Sequence, residues 1–308
     1  MIQPVPILVG PTASGKTALS LLLAQRMRCE IVSADSRQIY KRMDIGTAKP
    51  SPSERERIRH HCIDILDPDE DFSAGRYGPM ARQRVHDIDS RGLVPLVVGG
   101  SGLYVRALVD GIFEGGFRDE TIRLRLKEEA ETEGPEFLHR RLESLDPDAA
   151  ARIHPNDGKR IIRALEVRSL SGVPLSKLQR EGTVRADFPP RLFGIDWPRD
   201  LLYGRIEDRV DGMVRSGLVQ EVKDLVSSGY SLRNNALDSV GYKEILMVLE
   251  GKLELQAAVE LIKKNTRRFA KRQMTWFRGD PRIRWFSVRS AEELSDVAER
   301  ITEDLFPH

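Results

Sequence analysis

The sequence predicts an α/β protein in which helices flank a parallel sheet and a helical insertion interrupts the core. Three observations lead to this class. Short apolar runs alternate with helix-forming segments through residue 108, and each run ends in a polar or glycine-rich turn. Between residues 114 and 187, strand-like runs disappear and densely charged helical patterns replace them. A further apolar run and several long helical patterns then complete the chain.

The first apolar run, residues 6–9, leads into a turn with the pattern G-x-x-x-x-G-K-T, and residues 18–27 after this turn are rich in helix formers. A strand, a glycine-rich turn and a helix N-terminus together place backbone N–H groups around one anion. The lysine of this pattern adds positive charge toward a phosphate, and the threonine hydroxyl ligates Mg²⁺. The turn therefore predicts a P-loop NTPase-like core that binds a di- or triphosphate. Its residues are Gly10, Pro11, Thr12, Ala13, Ser14, Gly15, Lys16 and Thr17.

Two further apolar runs, residues 30–34 and 93–98, end in turns of their own. The first delivers the sequence DSRQ at residues 35–38, and the second delivers GGSG at residues 99–102. Ligands of parallel α/β sheets bind beyond the carboxyl ends of the strands. We therefore expect all three turns to meet at one edge of the sheet.

Asp35 is open to more than one interpretation. As an acidic residue after the second strand it can hold Mg²⁺ through water, or it can take a proton from an acceptor substrate. A purely structural interpretation is that Asp35 caps a following helix. The position of the residue alone does not decide among these roles.

The rest of the chain divides into three predicted segments. We expect residues 1–114 to form the first part of the core, 115–187 a helical insertion domain, and 188–308 the second part of the core. Helical periodicity covers residues 121–133 and 137–145 of the insertion. The second part of the core is predicted as a returning strand and three long helices, over residues 191–197, 201–216, 219–228 and 255–279.

One helix of the insertion combines an N-cap with positive charge. Asp157 is predicted to be the cap, and Lys159 and Arg163 lie four residues apart on a face shared with Arg160. The side turned toward the interior includes Ile161 and Ile162. Three positive charges beside an apolar face suit a phosphate partner, and a solvated surface explains the same pattern nearly as well.

The C-terminal helical pattern carries two rows of positive charge. One row, at a spacing of four residues, consists of Lys263, Arg267 and Lys271. The neighbouring row consists of Lys264, Arg268 and Arg272. Ile262, Phe269, Trp276 and Phe277 fall on the opposite half, which predicts an aromatic stripe in the core. Because Asp280 is the only acidic residue from 263 to 284, the rows indicate a nucleic-acid interface more strongly than a solvated face.

Composition limits the possible partners. The net charge is only +2, from 49 basic and 47 acidic residues, so attraction to nucleic acid must come from local patches. Cys29 and Cys62 lack CxxC spacing, which suggests reduced thiols in a cytoplasmic protein and argues against a Cys/His metal site. No apolar run approaches membrane-spanning length, so we expect no membrane partner.

Eight stretches of the sequence together resemble the tRNA dimethylallyltransferase family, the bacterial tRNA isopentenyltransferases or IPP transferases. They follow one another in the family's order across nearly the whole chain. The stretches are residues 10–17, 33–40, 43–50, 99–104, 153–157, 241–244, 266–273 and 275–278. The chain departs from the family at Ser101, where the family usually has Thr, and the hydroxyl group is kept.

The resemblance implies transfer of a dimethylallyl group from dimethylallyl diphosphate to N6 of the adenosine directly 3′ of a tRNA anticodon, with Mg²⁺ held at Thr17. It implies catalytic roles for Asp35, Lys16 and Ser101, with Asp35 in the position of the family's proposed base. It also implies contacts with tRNA at Asp35, Ser36, Arg37, Gln38, Ser101, Arg123, Lys159, Arg160, Ile161, Ile162 and Arg163. We expect a monomer whose partners are dimethylallyl diphosphate and the anticodon stem-loop.

Other functions share parts of this pattern. A small-molecule kinase needs the phosphate loop and a lid, for which the insertion is a candidate, but gives no reason for the basic C-terminal rows. An adenylate isopentenyltransferase acting on free AMP needs the loop without a surface for RNA. An RNA-binding module with a relic nucleotide site is disfavoured by the intact Lys16 and Thr17.

Overall fold

The computed structural model describes residues 3–113 and 115–307. The chain forms two compact units: a core unit of the residues up to Val109 and from Ala186 onward, and an insertion unit, Asp110–Arg185. The chain leaves and re-enters the core unit at neighbouring points, because the Ala186 N–H donates to the Val109 carbonyl at 2.9 Å. The boundaries expected from the sequence, residues 115 and 188, lie a few residues beyond these points.

The core unit is built on a parallel sheet. Its strands are β1 (Val5–Val9), β2 (Cys29–Ser33), β3 (His60–His61), β4 (Val94–Val98), β5 (Pro190–Asp196) and β6 (Arg284–Ser287). In the described residues they form one six-stranded sheet in the order β3-β2-β4-β1-β5-β6, with every neighbouring pair parallel. The predicted fold class is confirmed. The four central strands match the apolar runs, whereas the short edge strands β3 and β6 had no such run to reveal them.

Within the described residues, fourteen α-helices flank the sheet and make up the insertion. Four precede the insertion: α1 (Lys16–Arg26), α2 (Pro52–Arg57), α3 (Ala74–Asp89) and α4 (Gly102–Val109). Five form it: α5 (Glu120–Glu133), α6 (Pro135–Leu145), α7 (Pro147–Ala150), α8 (Gly158–Ser171) and α9 (Leu175–Glu181). Five follow: α10 (Arg199–Arg215), α11 (Leu218–Ser227), α12 (Tyr242–Leu249), α13 (Leu255–Arg278) and α14 (Leu294–Leu305). Within the described chain, no helix combines the length and apolar character needed to cross a membrane.

The sheet is buried because helices cover its faces, as parallel sheets require. All five residues of β1 are buried. Helices α1 and α14 pack against each other beside the sheet, through Leu19 and Leu23 of α1 and Val297 and Ile301 of α14. A second apolar cluster joins α10, α11, α12 and α13, and includes Val210, Leu218, Tyr242, Ile245 and Ile262. The same cluster includes Ile39 and Tyr40 from the turn after β2, so these helices pack beside the strand ends that carry the polar turns.

The insertion unit has an apolar core of its own. This core includes Leu126, Leu138, Leu142, Ile161 and Leu165. Helices α5 and α6 confirm the two helices predicted within the insertion. The predicted cap is also confirmed, because Oδ1 of Asp157 accepts a hydrogen bond from the Arg160 N–H at 3.2 Å at the start of α8.

Candidate active site

The turns that follow β1, β2 and β4 line one cavity of about 710 Å³ in the core unit. Helices α10 and α13 supply the facing wall, together with the loop over residues 238–241 and the first two residues of α12. From the turns come Thr12, Ala13, Ser14, Gly15, Lys16, Thr17, Asp35, Ser36, Arg37, Gln38, Gly100 and Ser101. The sheet therefore brings together the sequence-predicted candidates from residues 12–17, 35–38 and 101, while those at 123 and 159–163 belong to the insertion unit.

Glycine is required where the turns approach each other. A Cβ atom on Gly99 would lie 2.1 Å from the Ala34 carbonyl oxygen, closer than any side chain permits. The backbones of the two turns are joined there, since the Ser101 N–H donates to the same Ala34 oxygen at 3.1 Å. In the phosphate loop, Gly15 has φ +90°, and an added Cβ would meet Leu294 of α14 at 2.9 Å. Both glycines thus fix how closely the surrounding segments pack against the site.

Lys16 is held beneath the phosphate loop. Its Nζ donates to the carbonyl oxygens of Gly10 at 3.0 Å and Pro11 at 2.6 Å. Desolvation, assisted by repulsion from Arg209 and opposed by the nearby Asp35, lowers the pKa of Lys16 to about 7. The lysine therefore lies in an environment that disfavours its charge until an anion arrives.

Two arginines of α10 join Lys16 in a cluster of positive charges. These arginines were not predicted from the sequence. Arg205 Nε donates to the Ala13 carbonyl at 2.9 Å, while its guanidinium lies 4.2 Å from the centre of the Trp197 ring. Arg209 donates to Oγ1 of Thr12 at 3.3 Å. Burial lowers the pKa of both arginines. Their spacing of four residues on a helix just after a core strand was the signal available in the sequence.

Asp35 forms a turn at the end of β2. Its Oδ1 accepts hydrogen bonds from the N–H groups of Arg37 at 2.8 Å and Gln38 at 3.4 Å. A turn, not an α-helix, follows, so a helix-capping role for Asp35 is wrong. Among the residues that the structure describes, Oδ2 of Asp35 has no hydrogen-bond partner, which leaves this oxygen for a ligand.

Ser101 fixes the same turn from the neighbouring strand. Its Oγ accepts from the Ser36 N–H at 2.9 Å and lies 3.1 Å from Ser36 Oγ. Gln38 extends the arrangement, since its Nε2 donates to the carbonyls of Thr47 at 3.3 Å and Ala48 at 3.1 Å. Together these contacts set the position of Asp35 from both sides.

In the insertion unit, Arg123 and Arg163 converge on one buried carboxylate. Glu166 is fully buried and pairs with Arg123 at 2.8 Å and with Arg163 at 2.8 Å. It also accepts the Asp119 N–H at 2.9 Å. Desolvation would raise the pKa of Glu166, but the hydrogen bonds from Arg123, Asp119 and Arg163 lower it overall. These two arginines are therefore held in place before any ligand is bound.

The other insertion candidates differ in exposure. Lys159 and Arg160 are exposed, and Ile162 is partly buried. Ile161 has no exposed surface and belongs to the apolar core, as its predicted inward position requires, so its side chain offers no surface to a partner. Other core positions of α8 lie three and four residues after Ile161. The isoleucine therefore falls on the helix face that is turned inward.

We expect Glu166→Ala to destabilise the insertion unit by roughly 3–5 kcal/mol, because removal of one partner leaves buried positive charge uncompensated. Amide hydrogen exchange should accelerate in α5 and α8 but not in β1 or β4. The control is Glu181→Ala, which removes an exposed pair with Lys177 and should have little effect. Exchange in α5 and α8 as slow as in the unchanged protein would show that the arginines do not depend on this carboxylate.

Helix α13 differs from its prediction in two respects. Lys263 and Arg267 are neutralised by acidic residues of α10, with Lys263 2.8 Å from Asp211 and Arg267 2.5 Å from Glu207. The aromatic stripe is wrong as well, because Phe269 and Trp276 are 39% and 40% exposed, although Ile262 and Phe277 are buried. The buried face of α13 instead carries Ala270, Gln273 and Met274. The remaining basic row, Lys264, Arg268 and Arg272, is exposed together with Lys271.

The comparison of the sequence with known protein families agrees with this site. The model of the family described as IPP transferase matches residues 38–280. The chain belongs to the IPP transferase family. The resemblance noted in its sequence is thereby confirmed.

Two relatives of this IPP transferase family member are both described as tRNA dimethylallyltransferases. A tRNA dimethylallyltransferase of Geobacter metallireducens is 52% identical over 281 residues, which cover 91% of each chain. One of Carboxydothermus hydrogenoformans is 46% identical over 98% of this chain and 97% of its own.

Solved structures agree. A full-length tRNA isopentenylpyrophosphate transferase of Bacillus halodurans superposes with a TM-score of 0.72 at 39% identity, covering 98% of this chain and 97% of that one. A eukaryotic dimethylallyltransferase acting on tRNA gives a TM-score of 0.81 at 29% identity, covering 98% and 78%. The P-loop NTPase-like core described above is thus shared by IPP transferase family members.

Proposed function

We propose that this protein transfers the dimethylallyl group of dimethylallyl diphosphate to N6 of the adenosine directly 3′ of a tRNA anticodon. The observation that carries the proposal is one cavity holding three cations around a phosphate loop and a carboxylate from the next strand. The names of the relatives support tRNA as the acceptor. In the reaction a bond forms between N6 and the first carbon of the dimethylallyl group, the carbon–oxygen bond breaks, and N6 loses a proton.

The donor side of the cavity suits a departing diphosphate. Negative charge builds up on the leaving oxygen as the carbon–oxygen bond breaks. The charge of Arg209 repels that of Lys16 and that of Arg205 in the free protein, so an anion that binds among these cations relieves a cost already present. In many enzymes, fixed positive groups that point at the charge developing in the transition state make the largest single contribution to the rate enhancement.

Mg²⁺ fits the oxygen groups available here. Among described residues no group of three His, Cys, Asp or Glu forms a metal site, but Mg²⁺ is commonly held by one or two protein oxygens together with substrate phosphates. The Thr17 hydroxyl and the Asp35 carboxylate line the cavity and would hold it. When bound, the ion would neutralise charge on the diphosphate.

The acceptor side requires a base. Adenine N6 is a poor nucleophile because its lone pair is delocalised into the ring, and a carboxylate that removes its proton as the bond forms helps. Asp35 supports this role, since one of its oxygens is fixed by backbone N–H groups and the other is not. The adenosine must leave its stack to reach the cavity.

An apolar wall favours a prenyl donor over the kinase alternative. Val210, Met213, Ile262 and Phe269 line the cavity beside the polar turns. A five-carbon branched chain gains from contact with such a surface, whereas a kinase would place a second polar substrate there. The exposed row on α13 and the exposed Lys159 and Arg160 support an RNA acceptor over free AMP. A tRNA acceptor supports action in the cytoplasm.

Reversing the charge of Lys264, Arg268 and Arg272 to Glu should weaken tRNA binding and flatten its salt dependence. Each phosphate contact contributes about 0.7–0.9 to the slope of log affinity against log salt, so the slope should fall by roughly two to three. A matched variant reverses the exposed Arg215, Lys223 and Arg289 and should retain the original slope. Unchanged affinity of the first variant at low salt would remove this row from the RNA interface.

The decisive experiment offers the protein separate acceptors. Dimethylallyl diphosphate is supplied with an unmodified anticodon stem-loop, with the same stem-loop lacking the adenosine 3′ of the anticodon, or with AMP. Mass spectrometry should find one C5H8 unit only on the first RNA, and chelation of Mg²⁺ should suppress it. Labelling of AMP alone, or phosphoryl transfer from ATP without prenylation, would overturn the proposal.

A further inference from the structure

Gln273 joins the phosphate loop to the turn after β4. Its side chain projects from α13 and is 8% exposed. Its Oε1 accepts the Thr12 N–H at 2.8 Å, and its Nε2 donates to the Gly100 carbonyl at 2.9 Å. Because each end of the amide has a partner that only that end can satisfy, the orientation of the side chain is determined.

The connection continues from Gly100 to the carboxylate. A Cβ on Gly100 would lie 2.5 Å from Gln273 Nε2, so this close approach requires glycine. The next residue, Ser101, accepts the Ser36 N–H at 2.9 Å, and Ser36 directly follows Asp35. One short path of hydrogen bonds and peptide bonds thus runs from the phosphate loop through Gln273 to Asp35.

We propose that Gln273 is a positioning residue that sets the separation between the donor's diphosphate and the carboxylate at the acceptor, a role that rests on the proposed function of this site. The reacting carbon and nitrogen are held by different turns, and the amide fixes those turns relative to each other. A misplacement of about 1 Å costs about 10²-fold in rate. Gln273 touches neither substrate in this role and acts through Thr12 and Gly100.

The test variant is Gln273→Met, which keeps the length of the side chain but removes both hydrogen bonds. We expect the single-turnover rate, with donor and tRNA saturating, to fall about 10²-fold. The affinity for inorganic diphosphate, measured by calorimetry, should fall about tenfold, since the Thr12 N–H loses its buried partner and the loop shifts. The affinity for tRNA should be unchanged, because the exposed row of α13 is intact.

Two comparisons separate positioning from general packing. Gln256→Met, at an exposed position in the first turn of the same helix, should match the unchanged protein in every measurement. Combined with Ser101→Ala, Gln273→Met should lower the rate by less than the product of the two single effects, because both act through the turn after β4. Should Gln273→Met fail to fold, Gln273→Glu replaces it, since it retains an acceptor for the Thr12 N–H and loses the donor to Gly100.

Three results would overturn the inference: a rate and diphosphate affinity equal to those of the unchanged protein, fully multiplicative effects with Ser101→Ala, or a loss of tRNA affinity as large as the loss of rate. If the unchanged protein transfers no dimethylallyl group, the proposed function fails instead. The diphosphate affinity of Gln273→Met then still decides whether this amide organises the phosphate loop.

Discussion

Asp35→Ala is expected to lower the single-turnover rate of dimethylallyl transfer by about 10²–10⁴-fold, the usual contribution of a positioned general base. Binding of dimethylallyl diphosphate and of tRNA should persist, because the cations of the phosphate loop and the basic surfaces are untouched. Rapid quench with labelled donor gives the rate, and filter binding gives the affinity for tRNA.

The variant also separates the two roles of Asp35. If the carboxylate acts through Mg²⁺, the rate of Asp35→Ala should recover as Mg²⁺ concentration rises, whereas loss of a base is not reversed by added metal. Asp69→Ala, at an exposed carboxylate, is the matched control. A normal single-turnover rate in Asp35→Ala would remove Asp35 from the chemistry.

Lys16→Ala is expected to weaken binding of the donor and to lower turnover by about 10²–10³-fold, because it removes positive charge that faces the departing diphosphate. The exposed Lys223→Ala should leave both quantities unchanged. Donor affinity and single-turnover rate are measured separately, so an effect on only one of them is visible. Equal donor affinity in Lys16→Ala and the unchanged protein would place the diphosphate elsewhere.

The same variant gives a prediction about pH. The pKa of Lys16 is lowered to about 7 by desolvation, so its charge is present below this pH and is lost as the pH rises through it. Affinity for inorganic diphosphate in the unchanged protein, relative to Lys16→Ala at each pH, should therefore decrease from about pH 6 to about pH 8. A ratio that stays constant would show that the ammonium remains charged throughout this range.

The parts of the site that the sequence predicted are local in the chain. The phosphate loop is one continuous pattern, and Asp35 and Ser101 each follow an apolar strand whose end can be located by eye. Parallel strands place such turns at one edge, so their meeting follows from the fold class alone.

The parts that escaped prediction reach the site through tertiary packing. Gln273 is 261 residues from Thr12 along the chain, and Arg205 is 192 residues from Ala13. Nothing near Gln273 in the sequence distinguishes it from a surface residue of an amphipathic helix, and the only signal for Arg205 was its four-residue spacing from Arg209. The aromatic stripe failed for a related reason: hydrophobicity placed Phe269 and Trp276 inside, while α13 turns the face with Gln273 toward the loops.

The contact between Gly15 and Leu294 has a consequence for how the molecule is made. The phosphate loop is translated long before α14, which closes against it. A nascent chain shortened before α14 would contain every residue that lines the cavity and still lack the support beneath its donor end. The donor end of the binding site therefore gains this support only after α14 has been translated, however early the phosphate-loop pattern is made.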